Sequence, residues 1–264
     1  MFALLYGFKR SNRCVLAQRF PTSQGERMHS KGAVMLDFSL RQTLLARSDL
    51  FRGMPDTLIH YVATHSVERS LSDREVLYLK SEALDFIALV AEGQVYSVIH
   101  GPDGREQIVG SAGVGQVVGE SALIEGHARE TSAFACGPTR VLLLGRRHFR
   151  VLYDEPLFWQ RVLMLLMTRL MKVLELLELV CLHRLESRLA RFLLASIDDF
   201  ELAPLTCAAV PRNQGILAAM LNTSRPKLNV QLQLWRRSGV ISCQSGRLVI
   251  NDVEHLRRKA CSLN

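Results

Sequence analysis

Residues 213–241 read NQGILAAMLNTSRPKLNVQLQLWRRSGVI. Ile216, Leu217 and Met220 give a first helix one apolar face. Asn222 then falls at a tight turn, where Asn tolerates a left-handed backbone, though less well than Gly. Thr223 and Ser224 are placed to cap a second helix. Pro226 is acceptable only in a first turn, which fixes the start of that helix. Leu228, Leu232 and Trp235, at i, i+4 and i+7, face inward. Arg225, Asn229 and Gln233 share the outer face, with Pro226 and Val230 beside it.

This pattern predicts a helix-turn-helix whose second helix presents its first turns to the DNA major groove. The candidate contacts are Thr223, Ser224, Arg225, Pro226, Lys227, Asn229, Val230 and Gln233. Arg225 suits the O6/N7 pair of guanine, because a planar guanidinium donates two bonds at once. Beyond it, VISCQSGRLVIND (240–252) predicts a two-stranded wing turning at Gly246, with Arg247 placed for phosphate. The bland alternative is a helical hairpin with a surface arginine.

Charge separates the two readings. The chain has 264 residues and a net charge of +8. Residues 205–264 hold nine Lys/Arg and two acids, a balance of +7, whereas residues 39–204 carry −3. A basic end on a slightly acidic body suits a polyanion such as double-stranded DNA.

Upstream, residues 156–182 give the longest helical pattern. Trp159, Leu163, Leu166, Leu170, Val173, Leu177 and Val180 are spaced as an a/d seam, and Met167, Met171 and Leu174 widen the apolar face. A helix this apolar buries one side on its own domain and needs cover for another. A second copy supplies it by two-fold symmetry, with Leu163, Leu166, Leu170, Val173, Leu177 and Val180 at the interface. The alternative is a central core helix of a monomer.

Residues 75–150 alternate short apolar stretches with turn residues, the pattern of an all-β roll or sandwich. HGPDGRE (100–106) supplies a hairpin connection in which Gly101 and Gly104 are free to take positive φ. Residues from about 39 to 70 look helical, with Asp56 as a cap for a second helix. Residues 1–38 read as a poorly ordered leader, and Met28 and Met35 allow a later translation start. HRLESRLARFLLASI follows the long helix after a break near Cys181–His183.

No apolar run reaches the ~18 residues of a membrane span, and the start lacks the charge-then-apolar order of a secretory signal. The six cysteines lack CxxC spacing, so they read as reduced, small buried hydrophobes rather than metal or iron–sulfur ligands. No P-loop, HExxH or dinucleotide fingerprint appears. Gly119-Glu120-Ser121-Ala122-Leu123 lacks the last glycine of a nucleophile elbow. The expectation is a cytoplasmic, non-enzymatic protein with no metal and no membrane partner.

Residues 119–131, GESALIEGHARET, complete the picture. Gly119, Glu120, Ala122, Leu123, Gly126 and Arg129, together with SRLARFLL and TSR…L…L…GVI, make residues 40–260 resemble the Crp/Fnr family of bacterial transcription regulators. The resemblance implies an α+β fold: an N-terminal cyclic-nucleotide-binding-type β-roll (39–155), a long dimerisation helix (156–182) and a C-terminal winged helix-turn-helix (183–264). It implies a homodimer on a DNA operator, with RNA polymerase as a further partner and cyclic AMP or cyclic GMP as the type of effector. Gly119, Glu120, Ser121, Ala122, Arg129, Glu130 and Thr131 would form the cyclic-phosphate loop, Arg129 pairing with phosphate and Glu120 with the ribose hydroxyl.

The chain departs from the family in places. Glu130 stands where family members that bind cyclic nucleotides have Ser, Ala or Thr. Arg74 and Ser81 stand at turn glycines. Val173 and Leu174 replace a Thr-Ser pair that contacts adenine, and neither hydrogen-bonds a base. The base-reading positions hold Arg225, Pro226 and Val230 in place of Arg, Glu and Arg. Two alternatives stay open: an effector-independent DNA-binding regulator, and a cyclic-nucleotide-sensing interaction protein that does not read DNA.

Overall fold

The computed structural model describes residues 36–83, 85–102, 105–124, 128–197, 206–207, 213–244 and 247–261. The leader up to residue 35, Gly104, Gly126, His127 and Gly246 lie outside them. The fold is α+β: helices precede an antiparallel β-roll, then a long helix and a winged helix-turn-helix.

Two helices open it, α1 (Phe38–Arg47) and α2 (Asp56–His65). Asp56 is the first helical residue and Pro55 holds the cap position, with no side-chain cap bond. The proline fixes the extended backbone that an N-cap needs, which moves the boundary one residue upstream of the expected cap. Helix does not run on to residue 70, because β1 (Val67–Leu71) starts just after α2. Its alternating VERSL pattern is too short to outweigh the helical stretch before it.

The roll continues with β2 (Val76–Tyr78), β3 (Phe86–Glu92), β4 (Val95–His100), β5 (Glu106–Ala112), β6 (Val117–Val118), β7 (Ser132–Ala135) and β8 (Thr139–Gly145). One sheet runs β1-β8-β3-β6 and the other β2-β7-β4-β5. Leu71, Leu77, Ala88, Val90, Val95, Ala112, Val118, Ala133 and Val141 fill the core between them. Glu68 is buried on β1. It accepts from Leu36 N–H (2.8 Å) and Arg41 Nη2 (3.2 Å), and Arg140 Nη1 of β8 lies 3.4 Å away. This charged knot ties the residues before α1 to the sheet, so Leu36 belongs to the folded part.

Among the described residues, three that are not glycine adopt positive φ: Arg74 (62°), Ser81 (69°) and Asn222 (47°). The first two are the turn positions where the resemblance implies glycine, and the turns keep their left-handed geometry without it. Gly101 is not in that region, and its N–H closes the hairpin on Arg105 O (2.8 Å).

After α3 (Phe149–Tyr153), α4 runs from Pro156 to Leu182. α5 (Leu185–Ala195) follows after the short break. Then come β9 (Thr206–Cys207), α6 (Gln214–Met220), α7 (Arg225–Arg237), β10 (Ile241–Gln244), β11 (Arg247–Ile250) and α8 (Val253–Cys261). The wing has three strands rather than two, because β9 pairs with β11 through Val249↔Cys207. A two-residue strand carries too little periodicity to be read from sequence. The cysteines also differ from expectation. Cys181, Cys243 and Cys261 are exposed and Cys136 is half-buried, all free thiols. Cys181 and Cys261 sit at helix ends, Cys243 on the outer side of β10 and Cys136 in the turn after β7, so position overrides the usual preference for burial.

His183 sits in the break between α4 and α5, its side chain 1% exposed. Its Nδ1 is 3.5 Å from Ser187 Oγ and its Nε2 is 4.0 Å from Glu178 Oε1. Burial pushes the imidazole below its ordinary value, Arg191 and Arg188 add to this, and Glu178 opposes it. The folded protein therefore resists a proton that the unfolded chain accepts. The stability this histidine contributes is complete above pH 6.5, its ordinary value, and is lost as pH falls through the folded value.

Two outcomes follow. Ser81→Gly relieves the left-handed strain but frees the unfolded chain, for a net gain of about 0.5–1 kcal/mol in urea denaturation; an unchanged midpoint contradicts this. His183→Leu loses less stability than the parent between pH 7.5 and 5.5; parallel profiles would show that His183 does not titrate on unfolding.

Candidate functional site

α6 starts at Asn213, whose Oδ1 accepts from Gly215 N–H (2.8 Å). It buries Leu217, Ala218, Ala219 and Met220. The turn holds Asn222 in the left-handed region, Thr223 N–H donates to Ala218 O (3.0 Å), and Arg188 of α5 donates to Asn222 O (3.3 Å). Arg188 is half-buried, and burial lowers its guanidinium below the ordinary value. Its anchoring role was not visible in the sequence, where it reads as one more basic residue of SRLAR.

α7 buries Leu228, Leu232 and Trp235. Ser224 is its N-cap, but the side chain makes no cap bond. Pro226 removes one of the two N–H groups such a cap would serve. Arg225, Pro226, Lys227, Val230 and Gln233 are exposed together, while Thr223, Ser224 and Asn229 are half-buried. β10 and β11 form the wing in register Ile241↔Ile250 to Gln244↔Arg247. The side chain of Arg247 lies outside the described residues. No acid lies on α7, which ends in Arg236 and Arg237.

α4 carries two apolar stripes. Phe158, Val162, Leu165, Leu176 and Leu179 are buried. Of the expected interface, Leu163, Leu170, Val173 and Leu177 are 49–60% exposed, and Leu166 and Val180 are half-buried. Met167, Met171 and Leu174 lie exposed beside them. Trp159 heads the stripe, stacked on Tyr153 (5.0 Å) and donating to Tyr153 O (3.1 Å).

In the roll, Gly119 (φ 79°) leads into a 3-10 turn, Glu120–Leu123, with Ala122 and Leu123 buried. Arg129 is 2% exposed. Its Nη1 donates to Gly119 O (2.9 Å) and its Nη2 to Phe86 O (2.6 Å). The guanidinium carbon lies 4.1 Å from the Tyr78 ring centre and 4.9 Å from that of Phe86. A Cβ on residue 119 would collide with this guanidinium, so glycine is required by space as well as by φ. Burial pulls Arg129 below its ordinary value, while Tyr78, Asp85, Glu120 and Glu130 pull it back. Glu130 turns outward and is exposed, Glu120, Ser121 and Thr131 are half-buried, and Ala122 is packed in the core.

The arginine thus already has two carbonyl acceptors and two aromatic faces. Its Nε is buried without a partner. The two carbonyls take two of the five N–H donors of the guanidinium, so donors, Nε–H among them, are left for an anion. Tyr78 and Phe86 escaped sequence reading because both looked like ordinary strand residues. Among the described residues, no group of three or more His, Cys, Asp or Glu could hold a metal ion.

Comparison with known proteins agrees with this geometry. Residues 68–155 match the family model of the cyclic nucleotide-binding domain, and residues 187–259 match the Crp-like helix-turn-helix domain. The chain is 23% identical over 220 residues to the CRP-like cAMP-activated global transcriptional regulator of Mycobacterium tuberculosis, covering 82% of this chain and 98% of that protein. It is 25% identical over 217 residues to the cyclic AMP receptor protein of Thermus thermophilus, with the same coverage. In fold it is similar to the c-di-GMP responsive global regulator CLP of Xanthomonas campestris, at a TM-score of 0.66 and 19% identity over 75% of this chain and all of that one. With a roll of the cyclic nucleotide-binding type ahead of a Crp-like helix-turn-helix, the chain belongs to the Crp/Fnr family of DNA-binding transcription regulators.

Proposed function

We propose that the protein acts as a homodimer that binds a two-part operator, the two copies joined along the exposed stripe of α4. The single observation that carries this is the basic, acid-free outer face of α7, rigidly seated by Leu228, Leu232 and Trp235. Arg225 at its first turn reads guanine, and Lys227 neutralises phosphate. Two such helices related by a two-fold axis enter major grooves about 34–36 Å apart. The protein works in the cytoplasm without catalysis, and RNA polymerase is the partner through which a bound regulator would act. No helix among the described residues is long and apolar enough to cross a membrane.

A small effector in the roll shifts the DNA-binding equilibrium by binding one arrangement better than the other. Cyclic nucleotides are the first probes, because the matched domain type and the two curated relatives point to them. Arg129 would offer the cyclic phosphate its unpartnered Nε–H and the Nη hydrogens that the carbonyls leave over, and Glu120 would take the ribose hydroxyl. One observation favours a second reading, in which the roll is a scaffold without effector. Both Nη groups of Arg129 already donate to backbone carbonyls and its faces lie on aromatic rings, as those of a structural arginine would.

Four measurements test these readings. Arg225→Ala weakens operator binding by about 1–3 kcal/mol and relaxes selectivity at one guanine; unchanged, equally selective binding contradicts it. Leu170→Asp with Leu177→Asp places two like charges on the seam and yields a monomer by sedimentation velocity; a persistent dimer moves the interface elsewhere. Arg129→Ala removes the charged donor to the Gly119 and Phe86 carbonyls and costs about 2–4 kcal/mol of stability. Calorimetric titration of the parent with cyclic AMP and cyclic GMP then separates the effector reading, which requires saturable binding, from the scaffold reading, which requires none.

A further inference from the structure

The DNA-facing side of α7 holds side chains that the fold does not use. Val230 is 61% exposed and Leu234 is 53% exposed, both opposite the buried Leu228, Leu232 and Trp235. Pro226 lies one turn before Val230 on the same face and is also exposed. Val is a poor choice for an exposed helix position, since its branched side chain loses rotamer freedom there and buries nothing in return. What it offers is a stiff apolar knob. Lys227 and Arg237, three residues before and seven after Val230, flank that knob on its side of the helix, and no acid lies on the helix. An apolar patch flanked by cations suits a partner that is anionic around an apolar spot.

The major groove offers such a spot in one place only, the C5-methyl group of thymine. Neither Pro226 nor Val230 carries a side-chain donor or acceptor. Opposite them, the amino group of cytosine or the polar edge of guanine would lose water and gain no partner. Thymine presents a methyl instead and escapes that cost. We propose that Val230, with Pro226 beside it, selects thymine next to the guanine taken by Arg225, through contact with the thymine methyl. This rests on the DNA-binding reading and adds the second element of its half-site.

The test uses the full-length chain. A duplex is selected from a random pool, and each thymine of its half-site is replaced in turn by deoxyuridine, which pairs identically but lacks the methyl. The parent loses about fourfold in affinity at one or two thymines, the value of one buried methyl-sized group. In Val230→Ala, a substitution that favours helix, that loss shrinks to within twofold. Equal binding of thymine and deoxyuridine operators by the parent overturns the inference and leaves the DNA-binding reading standing. So does a Val230→Ala variant that keeps the full deoxyuridine loss. A chain that selects no sequence at all overturns both, and would make the patch a docking face for another protein.

Discussion

Two apolar stripes run the length of α4, one buried by Phe158, Val162, Leu165, Leu176 and Leu179, the other left open by Leu163, Leu170, Val173 and Leu177. A single chain covers only the first. The second exposes four large aliphatic side chains in coiled-coil spacing, and soluble monomers seldom leave such a seam in water. In the proposed homodimer a second copy covers it, which would fix a two-fold axis and bring the recognition helices in pairs. One recognition helix alone carries little specificity, and two at a set spacing would multiply it.

The roll poses a different balance. Arg129 is a buried charge, and a buried charge is tolerable only with partners. Here the partners are neutral: two backbone carbonyls and the faces of Tyr78 and Phe86. Three carboxylates, Asp85, Glu120 and Glu130, act on it from around the loop. An incoming phosphate would gain the N–H donors that the carbonyls leave over but would meet those negative charges. The carboxylates therefore set a higher demand on whatever else an anionic ligand offers.

Much of this was legible because it rests on local rules. The heptad spacing places the long helix over residues 156–182, where α4 stands. Asn222 takes a positive φ, as its place between the two helices requires, and Arg74 and Ser81 keep the same geometry where the resemblance implies glycine. What was not legible depends on partners distant in sequence. β9 is two residues long and exists only because Val249 and Ile250 are there to pair with it. The aromatic walls around Arg129 come from two strand ends that read as core. Glu68 becomes a buried knot only once Arg41 and Arg140 converge on it. Cysteine composition pointed inward, yet the ends of α4 and α8 put Cys181 and Cys261 in solvent.

The central claim is a two-fold DNA-binding regulator, and hydroxyl-radical footprinting of the full-length protein on a selected duplex tests it most directly. Two protected backbone segments related by a dyad, with centres about one helical turn (10–10.5 base pairs) apart, are the predicted result. A single protected segment, or protection without a dyad, would contradict it.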